Sequence, residues 1–179
     1  KDSSTPLWSY TANDNVRSVA ISANGSYIVA GTDNSDDKVY LFGKGSGTPI
    51  WTYSAGHDIY SVAISADGST VASGSWDGTS KLWDINSGQL LYTLSGHDDW
   101  VYDVEFSPSS QLLVSTSRDG VLKLWDVDQG QHLWTSPANN TDSIMRNAAF
   151  SPNGEMLATT AMPTGTSADG IVRVWGIPN

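Results

Sequence analysis

The chain has 179 residues, nine Lys and Arg against nineteen Asp and Glu, a formal net charge of -10 and no cysteine. The charge argues against a nucleic acid or an anionic membrane held by bulk electrostatics, because both would be repelled. The missing cysteine excludes disulfide frameworks, thiolate metal sites and cysteine nucleophiles. Seventeen of the acids are Asp and two are Glu (Glu105 and Glu155), while Ser and Thr together number 41. Such residues favour turns, caps and strands and count against a helical bundle. No apolar run approaches the roughly 20 residues that a bilayer-spanning helix needs. The first residue is Lys1 rather than Met, as expected of a processed, excised or engineered piece.

Self-similarity organises the whole chain. Residues 7–31 match residues 50–74 at 12 of 25 positions without a gap. Copy one, about 7–46, opens on the outer-type strand Leu7–Tyr10, continues through Val19-Ala20-Ile21 and ends its last strand at Phe42. Copy two, about 49–88, repeats these landmarks as Val62-Ala63-Ile64 and Trp83. Copy three, about 89–130, gives the clearest strands: Gln89–Leu94, Trp100–Ser107, Leu112–Ser117 and Val121–Trp125. Copy four, about 131–177, carries Ala148-Ala149-Phe150 and Trp175. Asp77-Gly78, Asp119-Gly120 and Asp169-Gly170 fall between third and fourth apolar runs, where a tight hairpin needs positive φ. Four-stranded units at a period near 43 residues predict propeller blades. The fold class is therefore all-β, one propeller unit over 1–179 built from four four-stranded antiparallel blades.

The residues also carry a family resemblance. Copy two has Gly56-His57 early and Ser75-Trp76-Asp77-Gly78 with Leu82-Trp83-Asp84 late. Copy three has Gly96-His97 early and Ser117-Arg118-Asp119-Gly120 with Leu124-Trp125-Asp126 late. These resemble the Gly-His and Trp-Asp signatures of the WD-repeat β-propeller family. Copy one departs, with Asp14 where His would fall and Phe42 in place of Trp, and it also resembles pyrroloquinoline-quinone-like prokaryotic propeller repeats. Copy four lacks the Gly-His, ends in Trp175-Gly176 and lengthens its last hairpin through Met162-Pro163-Thr164-Gly165.

The resemblance implies a buried chain of hydrogen bonds in each blade, from Trp to a hydroxyl to His to the hairpin Asp. In copy two this comprises Trp83, Ser73 or Ser75, His57 and Asp77. In copy three it comprises Trp125, Ser115 or Ser117, His97 and Asp119. Ser75 and Ser117 are the hydroxyls assigned. A constellation that recurs in every blade reads as structure rather than as a catalytic triad. Asp33-Asn34-Ser35-Asp36-Asp37 has the oxygens of a calcium loop but not the spacing, and reads as a solvated acidic turn. No catalytic residue, metal site or cofactor is expected.

WD-repeat relatives usually bind partners on the face holding the loops before each inner strand. Carried over, that rim is Asn15, Arg17, Asp58, Tyr60, Trp76, Trp100, Tyr102, Arg118, Ile144 and Arg146. Three of the four arginines and four large aromatics fall there, the types enriched at binding hot spots.

The expected function is a non-catalytic scaffold for a protein or peptide. The alternatives are an engineered or excised half-propeller without a specific ligand, and a cofactor-binding or enzymatic propeller. Four blades splayed about 90° apart close a ring less comfortably than eight at about 45°. Two chains are therefore expected to associate head to tail as an eight-bladed, two-fold homodimer, each lending Leu7–Tyr10 to the other's last blade, the alternatives being a self-closed four-bladed ring or a fragment of a longer propeller. The compartment is left open between a prokaryotic cytoplasm and the cell surface.

Overall fold

The computed structural model describes residues 5–137, 143–163 and 170–177. Among them every regular element is a strand. The first sheet holds β1 (Val16–Ile21), β2 (Tyr27–Thr32), β3 (Lys38–Gly43) and β4 (Pro49–Ser54) in sequence order. The second holds β5 (Ile59–Ile64), β6 (Thr70–Ser75), β7 (Ser80–Asp84) and β8 (Leu90–Leu94), and the third β9 (Val101–Phe106), β10 (Leu112–Ser117), β11 (Leu122–Asp126) and β12 (His132–Thr135). The last sheet has three strands among the described residues: β13 (Ser143–Phe150), β14 (Met156–Pro163) and β15 (Ile171–Gly176). All neighbours pair antiparallel. Each sequence repeat is thus offset by one strand from a sheet, because its opening strand closes the sheet before it.

Alternation along each strand gives every sheet two apolar faces, and the cores lie between sheets. Val29, Val39 and Leu41 meet Ile59, Val62, Val71 and Trp83 at the first interface. Ala72, Leu82 and Leu94 meet Val101, Val104, Leu113 and Trp125 at the second. Val114, Leu122 and Leu124 meet Met145, Ala148 and Leu157 at the third. The inner strands β1, β5, β9 and β13 run side by side, and the arc does not close into a ring.

One polar device repeats along this inner row. Ser18 Oγ accepts the Val62 N–H (3.1 Å), Ser61 Oγ accepts the Val104 N–H (3.3 Å), and Asp103 Oδ2 accepts the Ala148 N–H (3.0 Å). These acceptors occupy one register position, so each inner strand fastens the next. Asp103 also accepts the Ser61 O–H at 2.8 Å.

Burial raises the Asp103 carboxyl above the ordinary aspartate range, against the hydrogen bonds from Ala148 and Ser61. Burial also raises Glu105, and the Asp103 charge adds to that shift. A carboxyl raised on folding binds its proton more tightly in the folded chain. Its contribution is most favourable at low pH and declines as pH climbs from the unfolded value, 3.8 for Asp103, through the folded one. Asp103→Asn keeps an acceptor for Ala148 and removes the charge. It is expected to melt above wild type at pH 7 and to flatten the decline just above pH 3.8. Thermal unfolding across pH checks this; a variant melting lower than wild type at pH 7 contradicts it.

The segment Leu7–Tyr10, expected as a strand, is not one. It lies over the outward face of the first sheet, where Trp8 packs on Phe42 (ring centroids 5.3 Å) and Tyr10 on Tyr40 (5.3 Å). Trp8 Nε1 donates to the Lys44 carbonyl at 2.9 Å. Ring packing and one side-chain hydrogen bond, rather than strand pairing, hold the segment on its own sheet.

Candidate functional site

The inner strands share a second regularity, at their entrances. Each pairs with its neighbour through a bulge that leaves one residue unpaired: Arg17 in β1, Tyr60 in β5, Tyr102 in β9 and Arg146 in β13. A bulge re-aims its extra residue, and here all four turn to the same rim. Arg17 lies over the Tyr60 ring at 5.4 Å, Tyr60 meets Tyr102 edge-on at 5.4 Å, and Arg146 lies over Tyr102 at 4.2 Å. The row runs Arg, Tyr, Tyr, Arg across four blades.

A second tier joins it. Trp100 stacks on Tyr60 (5.8 Å, 16°), Trp76 meets Trp100 edge-on (5.2 Å), and Arg118 covers Trp100 at 4.5 Å. Trp76 is 46% exposed. Seven of the ten rim residues expected from sequence therefore form one continuous array. The other three do not join it. Asn15 is exposed and its carbonyl accepts the Asp33 N–H. Ile144 is half-buried opposite Met162. Asp58 is buried, with its carboxylate accepting the Asn34 N–H at 2.9 Å.

Asp33 and Met162 belong to this tier and were missed. The N–H groups of Asp33, Trp76 and Arg118 bond the carbonyls of Asn15, Asp58 and Trp100 respectively, which makes the three equivalent. Met162 pairs with Ile144 at the matching place in the fourth sheet. Counting one residue past the end of the second strand, as for Trp76 and Arg118, would have found Asp33, whereas in the fourth sheet that strand runs on through Met162 to Pro163. Asp33 is fully buried and ion-paired to Arg17.

Below the rim, the third blade carries a buried relay. Trp125 Nε1 donates to Ser115 Oγ (2.8 Å), Ser115 meets His97 Nε2 (2.7 Å), and His97 Nδ1 meets Asp119 Oδ2 (2.8 Å). One direction satisfies every atom: the indole N–H to Ser115, the Ser115 O–H to Nε2, and the Nδ1 proton to the carboxylate. Burial pushes Asp119 up, but His97 and the N–H groups of Val121 and Asp98 outweigh it and hold the carboxyl below its ordinary value. The hydroxyl is that of Ser115, whose side chain shares the Trp125 face. Ser117 bonds the Asp99 carbonyl at 2.9 Å and accepts the Asp119 N–H.

The second blade lacks this relay. His57 is exposed, and the buried Trp83 Nε1 and Ser73 Oγ have no partner among the described residues. Ser75 Oγ accepts the Asp77 N–H at 3.3 Å rather than meeting His57 or Trp83, while Asp77 binds Lys81 Nζ (3.1 Å) and the Thr79 hydroxyl (2.6 Å). The cause is loop length. His97 stands four residues before β9, whereas His57 stands two before β5 and cannot reach inward. In the first blade Asp36 fills the Asp77 place, bound by Tyr40 O–H (2.7 Å) and Lys38 Nζ (2.8 Å). In the fourth, Trp175 Nε1 donates to Thr159 Oγ1 at 3.0 Å, while Asp169 lies outside the described residues. Across the first three blades the hairpin Asp is the fixed part, and its donor varies.

No group of three or more His, Asp or Glu among the described residues is arranged to hold a metal ion. The acidic turn Asp33–Asp37 is an ion-paired hairpin, with Arg17 and Lys38 as its cations.

Stacked antiparallel blades fastened along their inner strands, with side chains gathered at one rim, define a propeller-type repeat protein. The family model for the WD domain, G-beta repeat, matches residues 4–42, 47–84, 88–126 and 130–176. The chain belongs to the WD-repeat family. Repeats of this family generally mediate protein interactions. Comparison with curated proteins returns no match.

Proposed function

We propose that the chain is a non-catalytic scaffold that holds a protein or peptide on the rim of Arg17, Tyr60, Trp76, Trp100, Tyr102, Arg118 and Arg146. The array of register bulges carries this reading: four unpaired residues from four blades point one way and stack into a rigid surface. Aromatic side chains, and arginines already held over their rings, lose little further freedom on binding and are the usual anchors of an interface. The arrangement among the described residues that resembles a hydrolytic triad is unsuited to catalysis, because Ser115 is fully buried beneath the rim and its hydroxyl is already committed to Trp125 and His97.

Peptides selected from a displayed random library against the intact chain test the reading. Trp76→Ala and Trp100→Ala are each expected to abolish binding of the selected peptides while circular dichroism stays unchanged. Binding that survives both substitutions removes the assignment of this face.

A second proposal rests on the two end faces. Val19 and Ile21 are each 66% exposed on β1, and Val172 and Val174 are 71% and 66% exposed on β15. Asn147, which occupies the acceptor position of Ser18, Ser61 and Asp103, is exposed and fastens no further strand among the described residues. We propose that these faces continue the internal interface in a head-to-tail, eight-bladed homodimer. For strand exchange, Trp8 and Tyr10 must first lift off Phe42 and Tyr40. Light scattering is expected to give twice the 19.1 kDa chain mass; the mass of a single chain at micromolar concentration overturns the dimer.

A further inference from the structure

The three rim arginines are not equivalent. Arg17 is ion-paired to the fully buried Asp33, so its charge is matched within the fold. Arg118 Nη1 lies 3.7 Å from Asp99 Oδ2, with both side chains well exposed, a pairing worth little in water. Arg146 has no carboxylate within ion-pair distance among the described residues, and its buried Nε has no hydrogen-bond acceptor there. Its guanidinium lies over Tyr102 at 4.2 Å. Stacking of that kind holds the cation but satisfies none of its N–H donors, which point outward in the guanidinium plane.

We infer that the β9–β13 end of the rim binds an acidic peptide, with a carboxylate side chain meeting Arg146 and an adjacent aromatic or large apolar side chain on Trp100 and Trp76. This deepens the rim reading and rests on it. A carboxylate presents two in-plane oxygens that match the guanidinium fork. At the other end of the rim Arg17 is neutralised by Asp33, and Asp14 and Asp58 repel acid, so the peptide lies in one direction along the arc. The net charge of -10 does not cancel this selectivity, since charges beyond about 8 Å are screened at physiological salt. A single cation uncompensated among the described residues, beside an Arg118 that already faces Asp99, matches a monoanion better than a phosphate dianion.

The test uses peptides selected on the intact wild-type chain, resynthesised with acetylated and amidated ends so that only side-chain acids remain. The expected peptides carry Asp or Glu beside Trp, Phe, Tyr or Leu. Glu→Gln in the peptide and Arg146→Met in the protein each weaken binding about tenfold, and the two together weaken it little further. Arg146→Lys, which keeps the charge without the fork, falls between wild type and Arg146→Met. Melting curves identify any variant that fails to fold, and for such a variant the peptide Glu→Gln arm decides alone. Peptides that need Trp76 but contain no acid, or that ignore Arg146→Met, overturn the inference and leave the rim standing. Peptides that bind independently of Trp76 and Trp100 overturn both. Tighter binding when phosphoserine replaces the acid overturns the choice of a carboxylate.

Discussion

Ser115→Ala is expected to lower stability by about 2–4 kcal/mol, while Ser73→Ala, at the same place one blade earlier, changes it by less than about 0.5 kcal/mol. The two serines differ only in what surrounds them. Removing the Ser115 hydroxyl orphans the Trp125 N–H and the His97 Nε2 together, and Trp125 and His97 are both buried. Removing the Ser73 hydroxyl deletes a buried group that has no partner to lose among the described residues. For a chain of this size the first change lowers the melting temperature by roughly 5–15 °C. Equal effects at the two sites would show that the relay contributes nothing beyond packing.

Gly31→Ala and Gly74→Ala are expected to be comparably damaging, by about 1–3 kcal/mol each through overpacking. A Cβ at residue 31 would stand 2.5 Å from Ile59 Cγ2 and 3.0 Å from Val62 Cγ1. At residue 74 it would stand 2.7 Å from Val101 Cγ1 and 3.3 Å from the Val101 carbonyl. Ile59 and Val101 are fully buried and β-branched, so neither has a spare rotamer to retreat into. Both glycines stand where the second strand of one blade packs directly on the inner strand of the next. Gly43→Ala is the control: it has ordinary φ, its nearest neighbour would be Ile50 Cδ1 at 3.5 Å, and it should be nearly neutral. Chemical denaturation of the three variants decides the matter; equal midpoints for all of them would mean the blades can move apart freely.

The strands were legible because the pattern is local. Alternation through Val62–Ile64 and the turn at Ser107–Ser110 predict β5 and the β9–β10 hairpin to within a residue or two. The rim was largely legible for the same reason: a position that recurs every 43 residues or so is re-aimed the same way each time by its bulge. What failed was whatever depended on loop length or on the other face of a sheet. Gly56-His57 and Gly96-His97 look alike in sequence, but two missing residues leave His57 in solvent. Ser115 and Ser117 both lie on β10 two residues apart, and only the relative placement of Trp125 chooses between them. Asp58 sits in a rim position yet turns inward, because the positive-φ turn at Asn34 brings an N–H within its reach. Leu7–Tyr10 has the alternation of a strand but no edge of its own to join.

The oxygen that each inner strand offers to the N–H of its successor, from Ser18 to Ser61 to Asp103, has an evolutionary corollary. Donor and acceptor sit at the same offset in every copy, so the joint between two units is specified by the units themselves. A gene duplication or an unequal crossover that adds or removes one copy leaves every remaining joint chemically complete. A lineage can thus alter how many copies it carries without inventing new contacts, and selection is left to tune only the angle at which they splay.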